Sequence, residues 1–351
     1  MPVKKIRVED SIGRVLAHDL TKIVPGQFKG RRFKKGHIIR PEDIPELLQM
    51  GKEHLYVLEL GPDDIHEDEA ALRLARASLA LEDHGIELTE PKEGKVSLIA
   101  RRPGLLKINL AALREVNQVG EVILATLHNN YPVKEGQVVA GTRLIPLVTK
   151  REVVERVEGI CREAGGILKV VAFRPVRAGL ITTGNEIYTG RIKDAFGPVV
   201  RAKLAQYGSG VVEEKIVPDD AEIISRSILE MAGHNLDLIL LTGGMSVDPD
   251  DVTPVGIRMS GAEVVTYGAP VLPGAMFMLA YLNGIPLVGL PGCVMYYRAT
   301  IFDLVLARIL IGERLTRGDI AGMAAGGLCL ECPECRYPAC PFGKGGYYPS
   351  R

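Results

Sequence analysis

The pattern of hydrophobic and polar positions changes near residue 172. Beyond this point, short apolar runs alternate with segments of helix length. The strand-like runs cover residues 178–182, 211–217, 236–241 and 286–290, and the helix-length segments cover 198–207, 219–232, 253–260 and 294–311. Apolar runs separated by helices are typical of a parallel sheet covered on both faces. We therefore predict an α/β fold, a three-layer domain with a parallel or mixed sheet, over residues 171–318.

The chain before residue 171 shows a different pattern. Residues 1–60 contain short strand-like runs and one helix over 41–51, which starts after a proline and stops at a glycine. Residues 61–170 open with an amphipathic helix over 63–81, with its acidic residues early and its arginines late. Apolar runs and glycine or proline turns then alternate over 95–149, which favours strands. We expect mixed α+β and β accessory regions here.

A long uncharged stretch, residues 264–297, raises the question of a membrane span. Four prolines and five glycines interrupt it. Its longest proline-free piece, 274–285, is too short to cross roughly 30 Å of hydrocarbon. We predict buried strands and turns there and no membrane partner. Because the first residues lack an apolar signal core, a cytoplasmic protein is expected.

Composition excludes two broad classes. The 351 residues carry 43 Lys and Arg against 43 Asp and Glu, so the formal net charge is zero. A general nucleic-acid binder needs a basic excess to neutralise phosphates, so no nucleic-acid partner is expected. Hydrophobic residues at 46% and charged residues at 25% also exclude wholesale disorder.

Glycine-bearing turns follow three of the predicted strands, at the edge of a parallel sheet where ligands bind. Glycine lets the backbone turn sharply and bring N–H groups close to an anion, and a neighbouring threonine and serine add hydroxyls. Thr253-Pro254 predicts a helix start that faces the second turn. A phosphate-bearing ligand is predicted. The turns are Thr182-Thr183-Gly184-Asn185-Glu186, Thr242-Gly243-Gly244-Met245-Ser246 and Pro291-Gly292-Cys293.

An acidic cluster, Asp248, Asp250 and Asp251, follows the second turn directly. Carboxylates repel a phosphate unless a divalent cation lies between them, so the cluster favours a site that uses Mg²⁺. The alternative is an acidic turn that is simply solvated.

Taken in order, these segments resemble a known family. The set comprises residues 182–187, residues 194–198, the run from Asp237 to Asp251, and Leu290-Pro291-Gly292. It is similar to the molybdopterin-binding domain shared by molybdopterin adenylyltransferases, molybdopterin molybdenumtransferases and gephyrin. The resemblance covers about residues 175–312. Residues 8–19 and 95–149 resemble the accessory regions of the molybdenumtransferases more weakly.

The resemblance implies a molybdopterin ligand, in free or adenylylated form, and an enzyme that releases AMP with Mg²⁺ as molybdate is inserted. It also implies a homodimer, with other cofactor-assembly proteins or a molybdoenzyme as partners. The acidic cluster predicts metal binding by Asp248 and Asp251, and the resemblance implies this role for Asp251 as well. The catalytic residues implied are Glu186, Asp194, Asp237 and Asp251, and the residues implied to bind the ligand are Thr183, Gly184, Thr242, Gly243, Gly244, Met245, Ser246, Pro291 and Gly292.

The sequence departs from the family pattern where molybdate would bind. Residues 271–275 carry no lysine, the Leu-Pro-Gly-Asn-Pro turn has Cys293 and Val294 in its last two positions, and Asp248 replaces a glycine. These changes affect molybdate insertion more than pterin binding. A non-catalytic molybdopterin carrier, or a redox- or metal-linked sensor, is the main alternative function. A nucleotide-cleaving enzyme on the same fold is a third.

A cysteine-rich tail, residues 319–351, follows the domain. Cys329, Cys332, Cys335 and Cys340 predict one metal centre that is separate from the pterin site, either an iron–sulfur cluster or Zn²⁺, and free thiols are the alternative. Cys293 lies where a strand turns into a helix, which can lower a thiol pKa and make the thiol reactive or metal-binding. The alternative for Cys293 is packing as a small apolar side chain.

Overall fold

The computed structural model describes residues 3–24, 28–246, 248 and 251–345. Its helices are α1 Ile44–Gln49, α2 Glu67–Ala77, α3 Leu110–Gln118, α4 Arg151–Glu163, α5 Asn185–Tyr188, α6 Phe196–Ala205, α7 Ala221–Ala232, α8 Thr253–Met259, α9 Ile301–Ile309 and α10 Arg317–Ala321, with short 3₁₀ helices at Pro41–Asp43 and Gly292–Met295. Its strands are β1 Val3–Arg7, β2 Val15–Leu16, β3 Leu20–Val24, β4 Phe28–Phe33, β5 His54–Leu58, β6 Asp64–His66, β7 Ile86–Leu88, β8 Lys95–Ala100, β9 Gly104–Ile108, β10 Val122–Thr126, β11 Tyr131–Val133, β12 Val138–Leu144, β13 Val148–Lys150, β14 Leu168–Ala172, β15 Arg177–Thr183, β16 Gly210–Val217, β17 Leu238–Thr242, β18 Glu263–Tyr267, β19 Met278–Leu282 and β20 Ile285–Leu290.

The amino-terminal region is a small antiparallel structure. Strands β1, β5 and β2 form one sheet, and β3 pairs with β4 as a hairpin. The helix predicted over 41–51 is confirmed as a 3₁₀ turn that continues into α1. Leu47 of α1 is buried against Leu16, Leu55 and Val57, so the helix closes a local hydrophobic core.

The next region packs α2 and α4 against two antiparallel sheets, in the orders β10-β12-β8-β7 and β11-β9-β14. The strands predicted over 95–149 are confirmed, with one helix, α3, among them. The helix predicted over 63–81 starts later, at Glu67, because residues 64–66 pair with β13 as a strand. The His66 ring then accepts a hydrogen bond from the Asp68 amide and caps α2.

The carboxyl-terminal half contains a six-stranded sheet in the order β16-β15-β17-β20-β19-β18. Its first four strands are parallel, and β19 runs antiparallel to both of its neighbours. Along β17, Leu238 and Leu240 enter one core with α6 and α9, whereas Ile239 and Leu241 enter another with α7 and α8. The predicted three-layer α/β fold with a mixed sheet is confirmed.

The connections of this sheet change direction between β15 and β17. From β15 the chain goes to β16 at one edge, and then crosses back to β17 on the other side of β15. Such a reversal opens a crevice at the carboxyl ends of the two strands. Thr183 and Thr242 are the last residues of these strands and lie at the crevice.

Two parts of the predicted pattern differ in detail. The uncharged stretch 264–297 holds β18, β19 and β20, as buried strands and turns. The helix predicted over 294–311 is divided, because Thr300 and Asp303 form a capping box that starts α9 afresh. Asp303 also pairs with the buried ammonium of Lys203 at 2.5 Å. None of the helices in the described ranges has the length and apolar character needed to cross a bilayer.

The tail returns to the same domain and is held at several points. Leu272 and Leu328 form a parallel bridge, with backbone hydrogen bonds of 2.8 Å on either side. Gly343 donates its N–H to the Gly326 carbonyl at 2.9 Å, so the ends of a loop over 326–343 meet. Phe342 is buried in the core beneath α9. All four tail cysteines lie within this pinned loop.

A charged network joins the accessory region to the end of α9. The Arg308 guanidinium bonds Glu313 and Asp319, each at 2.7 Å, and the Lys107 ammonium of β9 lies 3.2 Å from Glu313. Burial alone would raise the pKa of Asp319, but hydrogen bonds from Thr316 and Arg308 outweigh it and lower the pKa to about 2. Ionised Asp319 is therefore stabilised in the fold.

The first prediction concerns stability in acid. An Asp319→Asn change removes a charge-assisted hydrogen bond and should lower the free energy of unfolding at pH 7 by about 2 kcal/mol. A carboxyl whose pKa is lowered on folding stabilises above its ordinary value of 3.8, and that stability is lost as the pH falls toward about 2. The deficit of the variant should therefore shrink as the pH falls from about 4 to about 2. Urea unfolding at several pH values measures it.

The exposed pair of Arg314 with Glu263 is the matched control. Its atoms are also 2.7 Å apart, but the Glu263 side chain is 74% exposed. A Glu263→Gln change should alter stability by no more than about 0.5 kcal/mol at any pH. Equal effects of the two substitutions would contradict a special role of the Arg308 network.

Candidate functional site

The centre of the site is a glycine turn after β17, where Gly243 and Gly244 have φ values of +86° and +53°. A Cβ atom on Gly243 would lie 2.1 Å from the carbonyl oxygen of Thr183, so only glycine allows this approach to β15. Thr253 bonds the Thr183 hydroxyl and the Gly243 carbonyl, each at 3.0 Å. The turn is therefore locked between β15 and the start of α8.

The backbone after this turn presents hydrogen-bond donors. The Ser246 amide donates to the Asp251 carboxylate at 2.8 Å, and the Tyr267 hydroxyl donates to the Met245 carbonyl at 3.1 Å. The amides of Gly244 and Met245 have no acceptor within the part of the chain that the structure describes. Unpaired N–H groups near a surface cavity are suited to bind an anion.

A cavity of about 750 Å³ opens beside the turn. Its walls come from the glycine turn, from the loop 272–276, from the end of β20 with the 3₁₀ helix after it, and from the tail. Among the described residues that line it there is no lysine or arginine, and the carboxylates are those of Asp251 and Glu331. An anionic ligand would therefore meet backbone donors and carboxylates rather than basic side chains.

Seven of the residues predicted for ligand binding or catalysis line this cavity. They come from two separate strand ends and from the acidic segment after the glycines, which the switch in strand order brings together. They are Gly243, Gly244, Met245, Ser246, Asp251, Pro291 and Gly292.

Three residues predicted to bind the ligand lie outside the cavity lining. Thr183 and Thr242 are buried, and the Thr242 hydroxyl donates to the Thr182 hydroxyl at 3.3 Å. Gly184 precedes α5 with a φ of +141°. The hydroxyls of Thr183 and Thr242 bond other threonines beneath the site, and the binding role of all three residues stays a prediction.

The predicted acids separate into different places. Asp237 lies before β17, at the opposite edge of the sheet, where its carboxylate accepts from the Arg177 amide at 2.8 Å. A strand of five residues separates it from the glycine turn by roughly 16 Å. Asp194 accepts from the amides of Phe196 and Gly197 and starts α6. Both carboxylates therefore bond backbone amides in this structure, and the catalytic role of Asp237 and Asp194 stays a prediction.

The remaining acidic residues predicted for the site lie outside the cavity lining or outside the described residues. Glu186 is exposed on α5 and does not line the cavity, and its catalytic role stays a prediction. Asp248 is exposed in the segment between Ser246 and Asp251, and Asp250 lies outside the described residues. Thr253 was expected to cap a helix, but Val252 occupies the cap position and the Thr253 hydroxyl bonds inward.

One acidic residue near the turn escaped the sequence analysis. Asp219 follows β16, and its carboxylate accepts from the Asn185 amide at 2.8 Å. Its Oδ1 would lie 3.6 Å from a Cβ atom on Gly244. The available signal was its position: Asp219 follows a parallel strand at the edge where the glycine turns lie.

A second cavity, of about 480 Å³, adjoins the first, and all four tail cysteines line it. The two cavities share Tyr296, Tyr297, Cys329 and Glu331. No group of three or more His, Cys, Asp or Glu is arranged to hold a metal within the residues that the structure describes. The four thiols would have to move together to form the predicted centre, so an iron–sulfur cluster or Zn²⁺ there stays a prediction. The tail borders the candidate site rather than standing apart from it.

The junction of the two cavities carries ionisable groups. Burial raises the pKa of the Cys293 thiol, which favours packing as a small apolar side chain over a thiol of lowered pKa. The Tyr297 hydroxyl donates to Glu331 at 3.3 Å. The Glu331 charge raises the pKa of Tyr297, with smaller contributions from Cys293 and Cys329. Both thiols therefore lie within electrostatic reach of one phenol.

Comparison with known proteins places this geometry in context. Residues 179–311 match the family described as "Probable molybdopterin binding domain", and residues 5–59 match "Domain of unknown function (DUF8806)". A CinA-like protein of Mycobacterium marinum is 36% identical over 90 residues, which are 25% of this chain and 21% of that protein. The chain thus spans about a fifth of the length of this relative.

A longer match covers both halves of the chain. The molybdopterin molybdenumtransferase of Staphylococcus aureus is 23% identical over 310 residues, which cover 83% of this chain and 67% of that protein. The molybdopterin biosynthesis enzyme MoaB of Thermus thermophilus is 22% identical, with a TM-score of 0.33, and the match covers 39% of this chain and 98% of that one. On the family match and the site geometry, residues 179–311 form a domain of the molybdopterin-binding type.

Proposed function

We propose that this protein binds molybdopterin in molybdenum cofactor biosynthesis, with the ligand phosphate at the turn 243–246. One observation carries the proposal: the amides of Gly244 and Met245 have no acceptor among the described residues, beside a cavity of about 750 Å³. A phosphate would satisfy both donors. The family match over residues 179–311 supports molybdopterin as the ligand class.

The finer proposal is a transferase that releases AMP from adenylylated molybdopterin. Mg²⁺ binds through one or two carboxylates together with phosphate oxygens and water, and the oxygens of Asp251 and Asp248 fit that chemistry. Bound there, the ion would neutralise charge on the phosphates. Asp251 also holds the Ser246 amide, so the residue proposed to bind the metal shapes the turn that receives the ligand.

A carrier without catalysis is the second candidate. No lysine or arginine lines the cavity within the described residues, so the chain offers molybdate no basic side chain there. Backbone amides suffice to hold a phosphate, whereas placing a second anion nearby needs added positive charge. The lining therefore favours binding over insertion.

The larger organisation belongs to the same proposal. We divide the chain into accessory regions 1–60 and 61–170, the binding domain 171–318 and the tail 319–351, and propose that it acts as a homodimer with a cofactor-assembly protein or a molybdoenzyme. Mass spectrometry of the natively purified protein for bound pterin, nucleotide and metals tests the ligand class directly.

The second prediction tests the position of the ligand with Gly292→Val. A Cβ atom on Gly292 meets no atom within 4 Å, yet Gly292 lines the cavity, so a side chain would take space from the ligand and not from the protein. Crowding of this kind costs about 1–3 kcal/mol, so molybdopterin affinity should fall roughly tenfold or more. Calorimetric titration measures the affinity.

Gly210→Val at the start of β16 is the matched control, since its Cβ atom also meets nothing within 4 Å and it lies at the far edge of the sheet. It should bind as the unmodified protein does. A folded Gly292→Val protein with unchanged affinity would place the ligand elsewhere. The left-handed φ of Gly244 makes that residue a poorer choice, because a side chain there strains the turn itself.

The third prediction separates catalysis from binding through Asp251→Asn. The asparagine oxygen can still accept from the Ser246 amide, so the turn should persist while the charge for Mg²⁺ is lost. AMP release from adenylylated molybdopterin should fall by about 100-fold or more, with affinity changed much less. A quenched-flow or chromatographic assay of AMP follows the reaction.

The control makes the same substitution at Asp220, which caps α7 nearby and does not line the cavity. Asparagine is an equally good cap, so Asp220→Asn should leave AMP release unaltered. If the unmodified protein binds the adenylylated ligand and releases no AMP with Mg²⁺ and molybdate present, the carrier function replaces the transferase.

A further inference from the structure

Two thiols face the ligand cavity from different elements. Cys293 belongs to the 3₁₀ helix after β20, and Cys329 belongs to the pinned tail loop. Both line the 750 Å³ cavity, and both are partly buried. The other three tail cysteines line only the second cavity. By position, Cys329 therefore shares the ligand cavity with Cys293 and with no other tail thiol.

Backbone hydrogen bonds from different segments hold the residues that carry these two thiols. The Cys329 amide donates to the Leu272 carbonyl at 2.8 Å, which ties the tail to the loop at the cavity wall. The Cys293 carbonyl accepts from the Tyr297 amide at 3.0 Å, and the Tyr297 hydroxyl donates to Glu331 at 3.3 Å. A carboxylate and a phenol thus lie beside the thiols at the junction of the cavities.

We propose that Cys293 and Cys329 form half of a binding site for a soft metal ion, and that a ligand bearing two sulfurs supplies the other half. Thiolates select soft ions, and four sulfurs in a tetrahedron suit Zn²⁺. Two protein thiols are too few to close such a site, so the bound ligand must supply the remaining donors.

The identity of the sulfur-bearing ligand rests on the proposed function, because molybdopterin carries a dithiolene. With its phosphate at the turn 243–246, the ligand would occupy the cavity that Cys293 and Cys329 also line. Binding the ion replaces two S–H bonds by two metal–sulfur bonds and releases two protons to the buffer, with no change of oxidation state. The protein would then receive the ligand together with a metal.

The closing experiment uses the full chain, reduced, stripped of metal and kept anaerobic. Zn²⁺ premixed with one equivalent of ethane-1,2-dithiol is the probe, and calorimetry gives its affinity and the protons released. We expect one equivalent to bind. Cys293→Ser and Cys329→Ser should each weaken binding at least about tenfold, since even outer-shell changes cost that much. Cys335→Ser, at an exposed tail thiol, should stay within about twofold.

The outcomes separate the alternatives. Loss of binding in Cys335→Ser with none in Cys293→Ser would assign the metal to the tail cysteines alone and overturn the inference, as would no binding to the unmodified chain. Cys293→Ala keeps a small side chain at this partly buried position, so its weakened binding with unchanged circular dichroism excludes simple misfolding. Molybdopterin titration without metal is run in parallel. If molybdopterin does not bind while the Zn²⁺–dithiol probe does, the proposed function is rejected and the metal site is retained.

Discussion

The close approach of Gly243 to the end of β15 is the constraint on which the site depends. The chain leaves β15 and β17 toward opposite sides of the sheet, so no helix lies between the carboxyl ends of these two strands. A side chain on Gly243 would force them apart, since its Cβ atom would lie 2.1 Å from the Thr183 carbonyl. The buried threonine hydroxyls then close the gap, and the next two amides are left without acceptors among the described residues.

The strands of the sheet could be predicted because the apolar pattern of a buried strand lies within a few consecutive residues. Strands covered on both faces must be apolar throughout, as the fully buried run of β17 shows, and this pattern is visible in the sequence. The helix predicted over 294–311 was too long because the capping box of Thr300 and Asp303, a local signal, starts α9 afresh. The pairing of Asp303 with Lys203, 100 positions earlier in the chain, leaves no such local trace.

In the candidate site, too, features with a local signal could be predicted, and features set by the arrangement of strands could not. Glycines at strand ends were placed correctly because a turn after a strand has a local signature. The acids were harder, since an aspartate before a strand and one after it are chemically the same in sequence. Asp237 and Asp219 show this: the first lies at the wrong edge of the sheet, and the second lies beside the glycine turn. Which edge a carboxylate occupies follows from strand direction, so an acid before a parallel strand and one after it lie at opposite edges of the sheet.

The tail changes what the cavity can accept. In the sheet alone, the carboxyl edge offers backbone donors and the carboxylate of Asp251. The tail adds Leu328, Cys329 and Glu331, which are apolar, thiol-bearing and acidic, and none of them is basic. A thiol in the wall favours a soft cation or a sulfur-bearing group. The carboxylate disfavours an oxyanion, because like charges repel more strongly in a partly enclosed cavity than in water. The pinned loop 326–343 thus changes which ligands can bind at this edge of the sheet.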